Sequence, residues 1–210
     1  REATPDIKRT IGNVCSLPIE KIISAPDVYS IYDVPGNFEK ENLGTTLLKT
    51  LHLPAGQKDL KEWTALTQKI KNINKNVRIG IVGKYFNFKS CKDTYVSVIE
   101  SINHASWALG YKADVVWLDS ETYEQDKSRL KELDALDGII IPGGFGKRGT
   151  EGMIVAADYS RRNKIPYFGL CLGMQIMTIA YARNVLHLQD ANSAEFDPDT
   201  SHLVVVTMQD

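Results

Sequence analysis

The sequence predicts an α/β protein whose residues 77–210 form a doubly wound, mostly parallel sheet flanked by helices. Two observations lead to this fold class. Compact apolar runs, typical of parallel strands that are buried on both faces, recur along the region. Each run is followed by a segment with helical periodicity. An alternation of strand and helix of this kind is typical of a doubly wound sheet.

The predicted elements follow one another in a regular order. The first strand is predicted at 77–83, because this apolar run is closed by a glycine. An amphipathic helix is predicted at 95–105 from its apolar spacing. The remaining predictions are a strand at 113–118, a charged helix at 126–135, a strand at 137–142, a helix at 150–163 and a strand at 165–170 that enters a further helix.

Residues 1–76 are organised differently from the region that follows them. A helix end is predicted at 6–11 and a short strand at 21–24, which is too little for an independent fold. Residues 29–76 are interrupted by proline and glycine, which predicts a connector. An apolar stripe at helical spacing closes this stretch, and we expect it to pack on neighbouring elements, with a partner-binding helix as the alternative. Its members are Leu60, Trp63, Thr67, Ile70 and Ile73.

Composition and charge exclude several classes of function. The formal net charge is −1, with 25 Lys and Arg against 26 Asp and Glu, so we expect no nucleic-acid partner and no membrane partner. The three cysteines, Cys15, Cys91 and Cys171, contain no C-x-x-C pair, which argues against a disulfide framework and a metal site. A reducing compartment, the cytoplasm, is therefore predicted. The chain begins at Arg1 rather than Met, so we expect a part of a longer protein.

A G-x-C-x-G motif at residues 169–173 is the strongest local signal. It lies between the strand predicted at 165–170 and an apolar helix. Such a turn is a nucleophile elbow, which exposes its central side chain above the sheet while flanking glycines let the backbone pass closely. The positive end of the following helix favours the thiolate of Cys171, which is the attacking form. A small cysteine packed in a core turn is the alternative.

Glycines are concentrated after the third predicted strand, in residues 142–149. Gly144, Gly146 and Gly149 fit a G-x-G-x-x-G pattern, but the elbow occupies the place where a dinucleotide site requires an acidic residue. A P-loop is excluded because no Gly-Lys-Ser or Gly-Lys-Thr occurs. We expect the backbone N–H groups at Gly143 and Gly144 to face an oxygen that becomes negative during a reaction. A simple tight turn is the alternative.

The two motifs together, at 142–146 and 169–175, resemble the class I glutamine amidotransferases. Further segments resemble the CTP synthase family within that class, namely 27–35, 83–85, 148–152 and 190–196. The resemblance implies an enzyme that makes CTP from UTP. Its synthetase domain uses ATP and Mg²⁺, its glutaminase domain supplies ammonia from glutamine, and GTP is an allosteric activator. It also implies a homotetramer, with filaments in some members.

On this resemblance the chain holds three parts of such an enzyme. Residues 1–28 would be the end of the synthetase domain, 29–76 the interdomain linker and 77–210 an incomplete glutaminase domain. The ligands of ATP, UTP and Mg²⁺ would lie outside the printed sequence.

The resemblance also implies roles for individual residues. Cys171 would be the nucleophile that attacks the side-chain amide of glutamine, and the backbone N–H groups of Gly143 and Leu172 would bind the oxyanion. The glutamine-binding residues would be Gly144, Phe145, Gln175 and Glu195. A lid segment near the GTP site would contain Arg148, Gly149 and Glu151.

The residues by themselves leave alternatives open for part of this set. Gln175 lies one helical turn after Cys171, which fits a shared site, but a solvated helix residue has the same spacing. Glu195 could pair with an ammonium group or be a surface carboxylate. Arg148 and Glu151 could form an ion pair with each other at the start of a helix.

The histidine base of this family is missing from the sequence. The family places a histidine and a glutamate in a His-Pro-Glu segment beyond the nucleophile, and here no histidine is followed two residues later by glutamate. We therefore expect residues 1–210 alone to be inactive as a glutaminase.

Two other functions stay open at this point. One is the glutaminase subunit of a different amidotransferase, such as carbamoyl-phosphate synthetase, against which the 27–35 segment argues. The other is a catalytically inactive, flavodoxin-like module for assembly or regulation.

Overall fold

The computed structural model describes residues 2–84 and 94–208. The chain divides into two compact units, Arg1–Asn72 and Ile73–Asp210. Tyr85, from the 83–85 segment, and Cys91 lie outside the described residues.

The first unit is helical. Its first helix covers the segment predicted to be helical at 6–11, and it begins after Thr4, whose hydroxyl accepts a hydrogen bond from the Ile7 N–H at 3.3 Å. The four helices are α1 at Pro5–Cys15, α2 at Val34–Lys40, α3 at Leu43–Thr50 and α4 at Lys61–Asn72, with short 3₁₀ turns at Ile19–Lys21 and Ile31–Asp33.

The strand predicted at 21–24 is wrong. A 3₁₀ turn ends at Lys21, and the residues that follow form no strand. The described residues 2–72 contain only helices, turns and irregular segments, so this stretch has no neighbouring strand with which to form a hydrogen-bonded ladder. Ser24 is instead buried, and its hydroxyl accepts a hydrogen bond from the Ala3 N–H at 2.8 Å.

The apolar stripe of α4 contributes to packing inside the first unit. The Trp63 ring stacks on the Tyr32 ring with a centroid distance of 5.8 Å. The indole N–H of Trp63 also donates to the Tyr32 carbonyl oxygen at 2.7 Å. Ile70, two turns further on, is buried. These contacts agree with the packing role expected of the stripe.

The second unit is built on a four-stranded parallel sheet of order β2-β1-β3-β4. A 3₁₀ segment at Lys127–Ala135 stands where the charged helix is predicted. The remaining elements are β1 at Lys75–Gly83, α5 at Val96–Leu109, β2 at Tyr111–Asp119, α6 at Ser120–Gln125, β3 at Gly138–Ile141, α7 at Thr150–Asn163, β4 at Tyr167–Gly169 and α8 at Leu172–Asn184.

Helices cover both faces of this sheet. The consecutive β1 residues Ile81 and Val82 are both fully buried, and they belong to different apolar clusters because successive strand residues point to opposite faces. Ile81 clusters with Ile102 of α5. Val82 belongs to the larger core, which includes Ile176 of α8. The predicted parallel sheet with flanking helices is confirmed.

The order of the strands places the two glycine motifs side by side. Parallel β3 and β4 are neighbours, with Ile141 in register with Gly169. The segments that leave their carboxyl ends, 142–149 and 170–171, therefore meet at one edge of the sheet, where ligands of such folds bind.

A second, two-stranded sheet follows α8. It pairs β5 at Asn192–Ser193 in parallel with β6 at Leu203–Val205. None of the described helices is both long and apolar enough to cross a bilayer.

Candidate active site

Cys171 lies at the turn between β4 and α8. It is the N-cap residue of α8 and has φ 52° and ψ −104°. Positive φ is costly for a residue with a β-carbon, so the surrounding structure must hold this conformation. The side chain is exposed, and the structure describes it as a free cysteine. The alternative of a cysteine packed in a core turn is therefore wrong.

Two glycines allow the sharp turn at Cys171. A β-carbon on Gly169 would lie 2.4 Å from the carbonyl carbon of Gly173. A β-carbon on Gly173 would lie 2.0 Å from the carbonyl oxygen of Ile141. Neither distance leaves room for a side chain, so the glycines of the G-x-C-x-G motif are required by close backbone approach.

The groups predicted to bind an oxyanion lie on either side of Cys171. Leu172 is the first residue of α8, so its N–H has no acceptor within the helix. Gly143 lies across the turn, where a β-carbon on it would be 3.6 Å from the β-carbon of Cys171. Gly143 and Leu172 are thus both neighbours of Cys171, and the Leu172 side chain is buried beneath the turn.

The Lys84 side chain occupies the inside of the glycine loop. Lys84 directly follows β1 and is only 4% exposed. Its ammonium donates to the carbonyl oxygens of Phe145 at 2.6 Å and of Gly146 at 2.5 Å. A β-carbon on Gly144 would lie 3.5 Å from the Lys84 Cε atom, and one on Gly149 would lie 3.2 Å from the Lys84 Cβ atom.

Sequence reasoning missed Lys84 as a site residue. A signal was available, because a lysine that directly follows an apolar strand lies at the edge where ligands of this fold bind. Charged residues are almost never fully buried unless they are paired. The position of Lys84 after an apolar strand could therefore have indicated a specific partner.

Glu195 holds the same loop from the other side. Its carboxylate oxygen Oε1 accepts a hydrogen bond from the Gly146 N–H at 2.8 Å. Glu195 follows β5 by two residues, and its own N–H donates to the Ser193 hydroxyl at 3.2 Å. The predicted glutamine-binding carboxylate is therefore exposed and anchored at the glycine loop.

Burial and the neighbouring charges shift the pKa of Lys84 in opposite directions, and the effect of burial is the larger one. Desolvation lowers the pKa of Lys84 because the charged ammonium loses contact with water. The carboxylates of Glu195 and Glu121 raise it in the opposite sense. The buried ammonium, with its charged hydrogen bonds to two carbonyl oxygens, is an electrostatic attachment for the loop.

The other two residues predicted to bind glutamine frame the same edge. Phe145 extends from the glycine loop and is 82% exposed. Gln175 is partly buried on α8, one turn after Cys171. An exposed ring on the loop that borders Cys171 is available to cover a small ligand.

The predicted lid residues have ion pairs with partners other than each other. Arg148 Nε lies 2.6 Å from Glu121 Oε1 on α6. Glu151 Oε2 lies 2.7 Å from Arg183 Nη1 on α8. Gly149 is the N-cap of α7 with φ 73°. The alternative of a mutual Arg148–Glu151 pair at the helix start is thus replaced by two pairs that join α6 and α8 to the lid segment.

Two of the histidines on the second unit have defined partners. His202 Nδ1 lies 2.6 Å from Asp190 Oδ1. The His104 ring packs against Trp107 at a centroid distance of 5.6 Å. Within residues 2–84 and 94–208, no cluster of histidine, cysteine and acidic side chains could hold a metal ion.

An apolar cavity of about 400 Å³ lies elsewhere in the second unit. Its lining includes residues of β1, β3 and α5, among them Val77, Gly138 and Leu109. None of the predicted site residues lines it.

A parallel α/β sheet with a strained, exposed cysteine at a strand-to-helix turn is typical of enzymes that use a covalent nucleophile. The family model described as "Glutamine amidotransferase class-I" matches residues 90–202. The chain belongs to this family.

Within this family, the chain is similar to CTP synthases. A CTP synthase of Methanococcoides burtonii is 44% identical over 195 residues, which are 93% of this chain and 36% of the relative. A CTP synthase of Acidobacterium capsulatum is 44% identical over 205 residues, which are 98% of this chain and 37% of the relative. The chain therefore spans little more than a third of the length of these relatives.

A solved structure gives the same picture. It is described as Trypanosoma brucei CTPS, glutaminase domain with bound acivicin. It is 43% identical to this chain, with a TM-score of 0.59 over 64% of this chain and 51% of the solved one.

Proposed function

We propose that the second unit carries the nucleophile half of a glutaminase site in a CTP synthase. One observation carries the proposal. The exposed Cys171 is held at φ 52° on the N-terminus of α8, between the backbone of Gly143 and the first N–H groups of the helix. The similarity to CTP synthases over nearly the whole chain supports this particular amidotransferase.

The reaction would start at the sulfur atom of Cys171. The thiolate attacks the side-chain amide carbon of glutamine, and the carbonyl oxygen becomes an oxyanion. The N–H groups of Gly143 and Leu172 would bind that oxyanion, an interaction that is stronger in the transition state than in the substrate. Collapse of the intermediate forms a thioester and releases ammonia, and water then hydrolyses the thioester to glutamate.

The substrate groups would be bound by the surrounding residues. The ammonium of glutamine carries a positive charge that Glu195 can neutralise, since only one oxygen of its carboxylate is used by the Gly146 N–H. Gln175 would bind the substrate from α8, and the backbone at Gly144 with the Phe145 ring would complete the pocket. The partly buried position of Gln175 and the exposure of Phe145 support these roles.

Glutamine hydrolysis also needs a general base and an acid for the leaving ammonia. Among the described histidines, His202 is engaged with Asp190, and no histidine of the sequence has a glutamate two residues later. We propose that the base comes from outside residues 1–210, so that these residues alone turn over glutamine negligibly.

The amination of UTP is part of the proposal and rests on the relatives. ATP and Mg²⁺ would act in a synthetase domain of which residues 1–28 are the end, with 29–76 as the linker. We assign no ligand of ATP, UTP or Mg²⁺ within the chain. GTP would act through the lid segment of Arg148, Gly149 and Glu151, and a homotetramer in the cytoplasm would fit the family.

Ammonia release from glutamine tests the nucleophile. We expect Cys171→Ser in the full-length protein to abolish glutaminase activity and to retain CTP formation from added ammonium chloride. Cys15→Ser is the matched control, because Cys15 is also a free, exposed cysteine. Equal ammonia release from the wild type and Cys171→Ser would disprove the nucleophile, and a wild type that releases none would favour an inactive assembly module.

The identity of the molecule that accepts the ammonia is tested separately. We expect glutamine-dependent CTP formation that requires UTP and ATP. Amination of bicarbonate or xanthylate in place of UTP would assign the site to a different amidotransferase.

A further inference from the structure

We propose that Lys84 is a positioning residue for glutamine hydrolysis, which holds the glycine loop 143–149 so that its N–H groups reach the oxyanion at Cys171. This inference rests on the proposed function. It assigns a task in the reaction to a buried cation that follows β1.

The contacts of Lys84 reach the loop at several positions between Gly144 and Gly149. Its Cβ atom lies beneath Gly149, its Cε atom beneath Gly144, and its ammonium at the carbonyl oxygens of Phe145 and Gly146. These are contacts with backbone, so they fix the course of the chain and not the orientation of a single side chain. A β-carbon on Gly149 would crowd the lysine at 3.2 Å, whereas one on Gly144 would touch it at an ordinary contact distance of 3.5 Å.

Opposite charges fix one peptide unit of the loop from its two sides. In a planar trans peptide the carbonyl and the N–H point in opposite directions. The Phe145 carbonyl accepts from the Lys84 ammonium, and the Gly146 N–H on the same peptide donates to the Glu195 carboxylate. Rotation of this peptide would break both charge-assisted hydrogen bonds at once, so the loop has one preferred orientation.

The fixed peptide lies close to the predicted oxyanion donor. Gly143 is separated from it by Gly144 alone, and Gly144 is confined between Lys84 and Leu172, whose Cδ2 atom would lie 3.2 Å from an added β-carbon. Gly143 in turn lies against Cys171. A loop without the ammonium would keep its glycines but would lose the attachment that aims the Gly143 N–H.

A donor that acts only on the oxyanion affects kcat and not substrate binding. We therefore expect Lys84→Met in the full-length protein to lower kcat for glutamine by about 10²-fold, the loss that follows a misplaced reacting group. KM for glutamine should rise by a smaller factor than kcat falls, since the oxyanion donor gains its strength only in the transition state, whereas the proposed pocket contacts of Gly144 and Phe145 are made to the substrate as well. Lys147→Met is the matched control, because Lys147 is an exposed lysine of the same loop, and it should match the wild type.

Alkylation by iodoacetamide separates positioning of the loop from activation of the thiol. This displacement forms no oxyanion, so the alkylation rate of the Cys171 peptide, followed by mass spectrometry, should match the wild type in Lys84→Met. A parallel fall of alkylation and kcat would overturn the proposal, because Lys84 would then act on the sulfur atom. Affinity for an aldehyde analogue of glutamine, which forms a tetrahedral adduct with the thiol, should fall together with kcat.

Ammonium-dependent CTP formation reports whether the variants are folded. Lys84→Gln, which is shorter and keeps an uncharged donor, is the second variant and should show the same kcat effect in weaker form. Wild-type kcat in both variants would overturn the proposal, as would failure of both to fold, since Lys84 would then serve the fold alone. Failure of the proposed function would look different, because the wild type itself would then release no ammonia.

Discussion

The α-carbon of Gly173 lies directly against the carbonyl oxygen of Ile141, where a β-carbon would be only 2.0 Å from that oxygen. This contact joins the start of α8 to the end of β3. The Tyr167 hydroxyl adds a second link, since it donates to the Gly173 carbonyl at 2.6 Å. The elbow of Cys171 is thus attached to two strands by groups that carry no catalytic role.

Gly173→Ala should destabilise the protein strongly. The added methyl group must displace backbone, and overpacking of this kind costs about 3 kcal/mol. Urea unfolding measures the change. Gly36→Ala is the control, because Gly36 lies inside α2 with no atom within 4 Å of an added β-carbon, and alanine there should be neutral or stabilising. A free energy of unfolding for Gly173→Ala equal to that of the wild type would contradict the geometry of the elbow.

Alanine substitutions at two glycines with positive φ, Gly146 and Gly149, distinguish the cost of backbone strain from the cost of steric overlap. Gly146 has φ 77° and open space around an added β-carbon, so Gly146→Ala should cost about 1 kcal/mol from backbone strain alone. Gly149 has φ 73°, and a β-carbon there would lie 2.6 Å from the Ser120 hydroxyl, so Gly149→Ala should cost more.

The double variant Gly149→Ala with Ser120→Ala tests this explanation. Removal of the hydroxyl should lower the cost of Gly149→Ala towards that of Gly146→Ala, with a smaller remainder from the Lys84 Cβ atom, which would still lie 3.2 Å from the added β-carbon. Ser120→Ala alone should be close to neutral, because the buried hydroxyl has no hydrogen-bond partner among the described residues. An unchanged cost in the double variant would show that the Ser120 hydroxyl is not the obstacle.

The ion pair of Arg183 and Glu151 should contribute little through its charges. Glu151 is about half exposed, so a double-mutant cycle with Glu151→Gln and Arg183→Met should give a coupling energy below about 1 kcal/mol. Arg183→Met alone should cost about 1–3 kcal/mol, because Arg183 also donates to the carbonyl oxygen of the buried Ala191 at 2.7 Å. A coupling energy as large as the cost of Arg183→Met alone would show that the ion pair, and not the hydrogen bond to Ala191, is the main contribution of Arg183.

Asp190 should make the stability depend on pH in acid. Hydrogen bonds from Ser201 and His202 hold the pKa of Asp190 well below its usual range. A carboxyl group whose pKa is lower in the folded state stabilises the protein fully above its unfolded pKa of about 4, and the contribution is lost as pH falls below that value. Asp190→Asn should therefore flatten the fall in stability between about pH 4 and pH 2, as measured by urea unfolding. A slope identical to the wild type would mean that these hydrogen bonds do not persist in solution.

Glu195→Gln tests the proposed contact with the substrate ammonium. The amide oxygen can still accept from the Gly146 N–H, but the negative charge is lost, so KM for glutamine should rise about tenfold, as expected for loss of a charge-assisted hydrogen bond. The glutamine analogue that lacks the α-amino group provides the control. Its KM should be the same in the wild type and the variant, and a parallel rise for both substrates would indicate a role in the loop alone.

The sequence predicts the sheet of the second unit well, because each strand there is an apolar run with its own boundary. The helix predicted at 150–163 has the bounds of α7, and the 77–83 strand lies within β1. The strand expected at 21–24 shows the opposite case. Its β-branched residues favour extended structure, but pairing depends on a neighbouring strand, which local sequence does not reveal.

The elbow could be predicted for the same reason, since the spacing of two glycines around Cys171 is a local pattern. The contacts that Lys84 and Glu195 make with the glycine loop could not be predicted. Lys84 is 61 residues from Phe145 in the chain, and Glu195 is 49 residues from Gly146, so local sequence does not reveal either contact. Glu121, the partner of Arg148, was missed for the same reason.

The unequal strand lengths have a consequence for local opening of the sheet. β1 and β2 pair along nine residues each, whereas β3 has four residues and β4 three. Amide hydrogens of β3 and β4 should therefore exchange with deuterium sooner than those of β1 and β2, because a shorter ladder opens at a lower free energy. The half of the sheet that carries the thiol, β3 and β4, is therefore the half that opens more easily. A bound amino acid should slow hydrogen exchange there more than in β1 and β2.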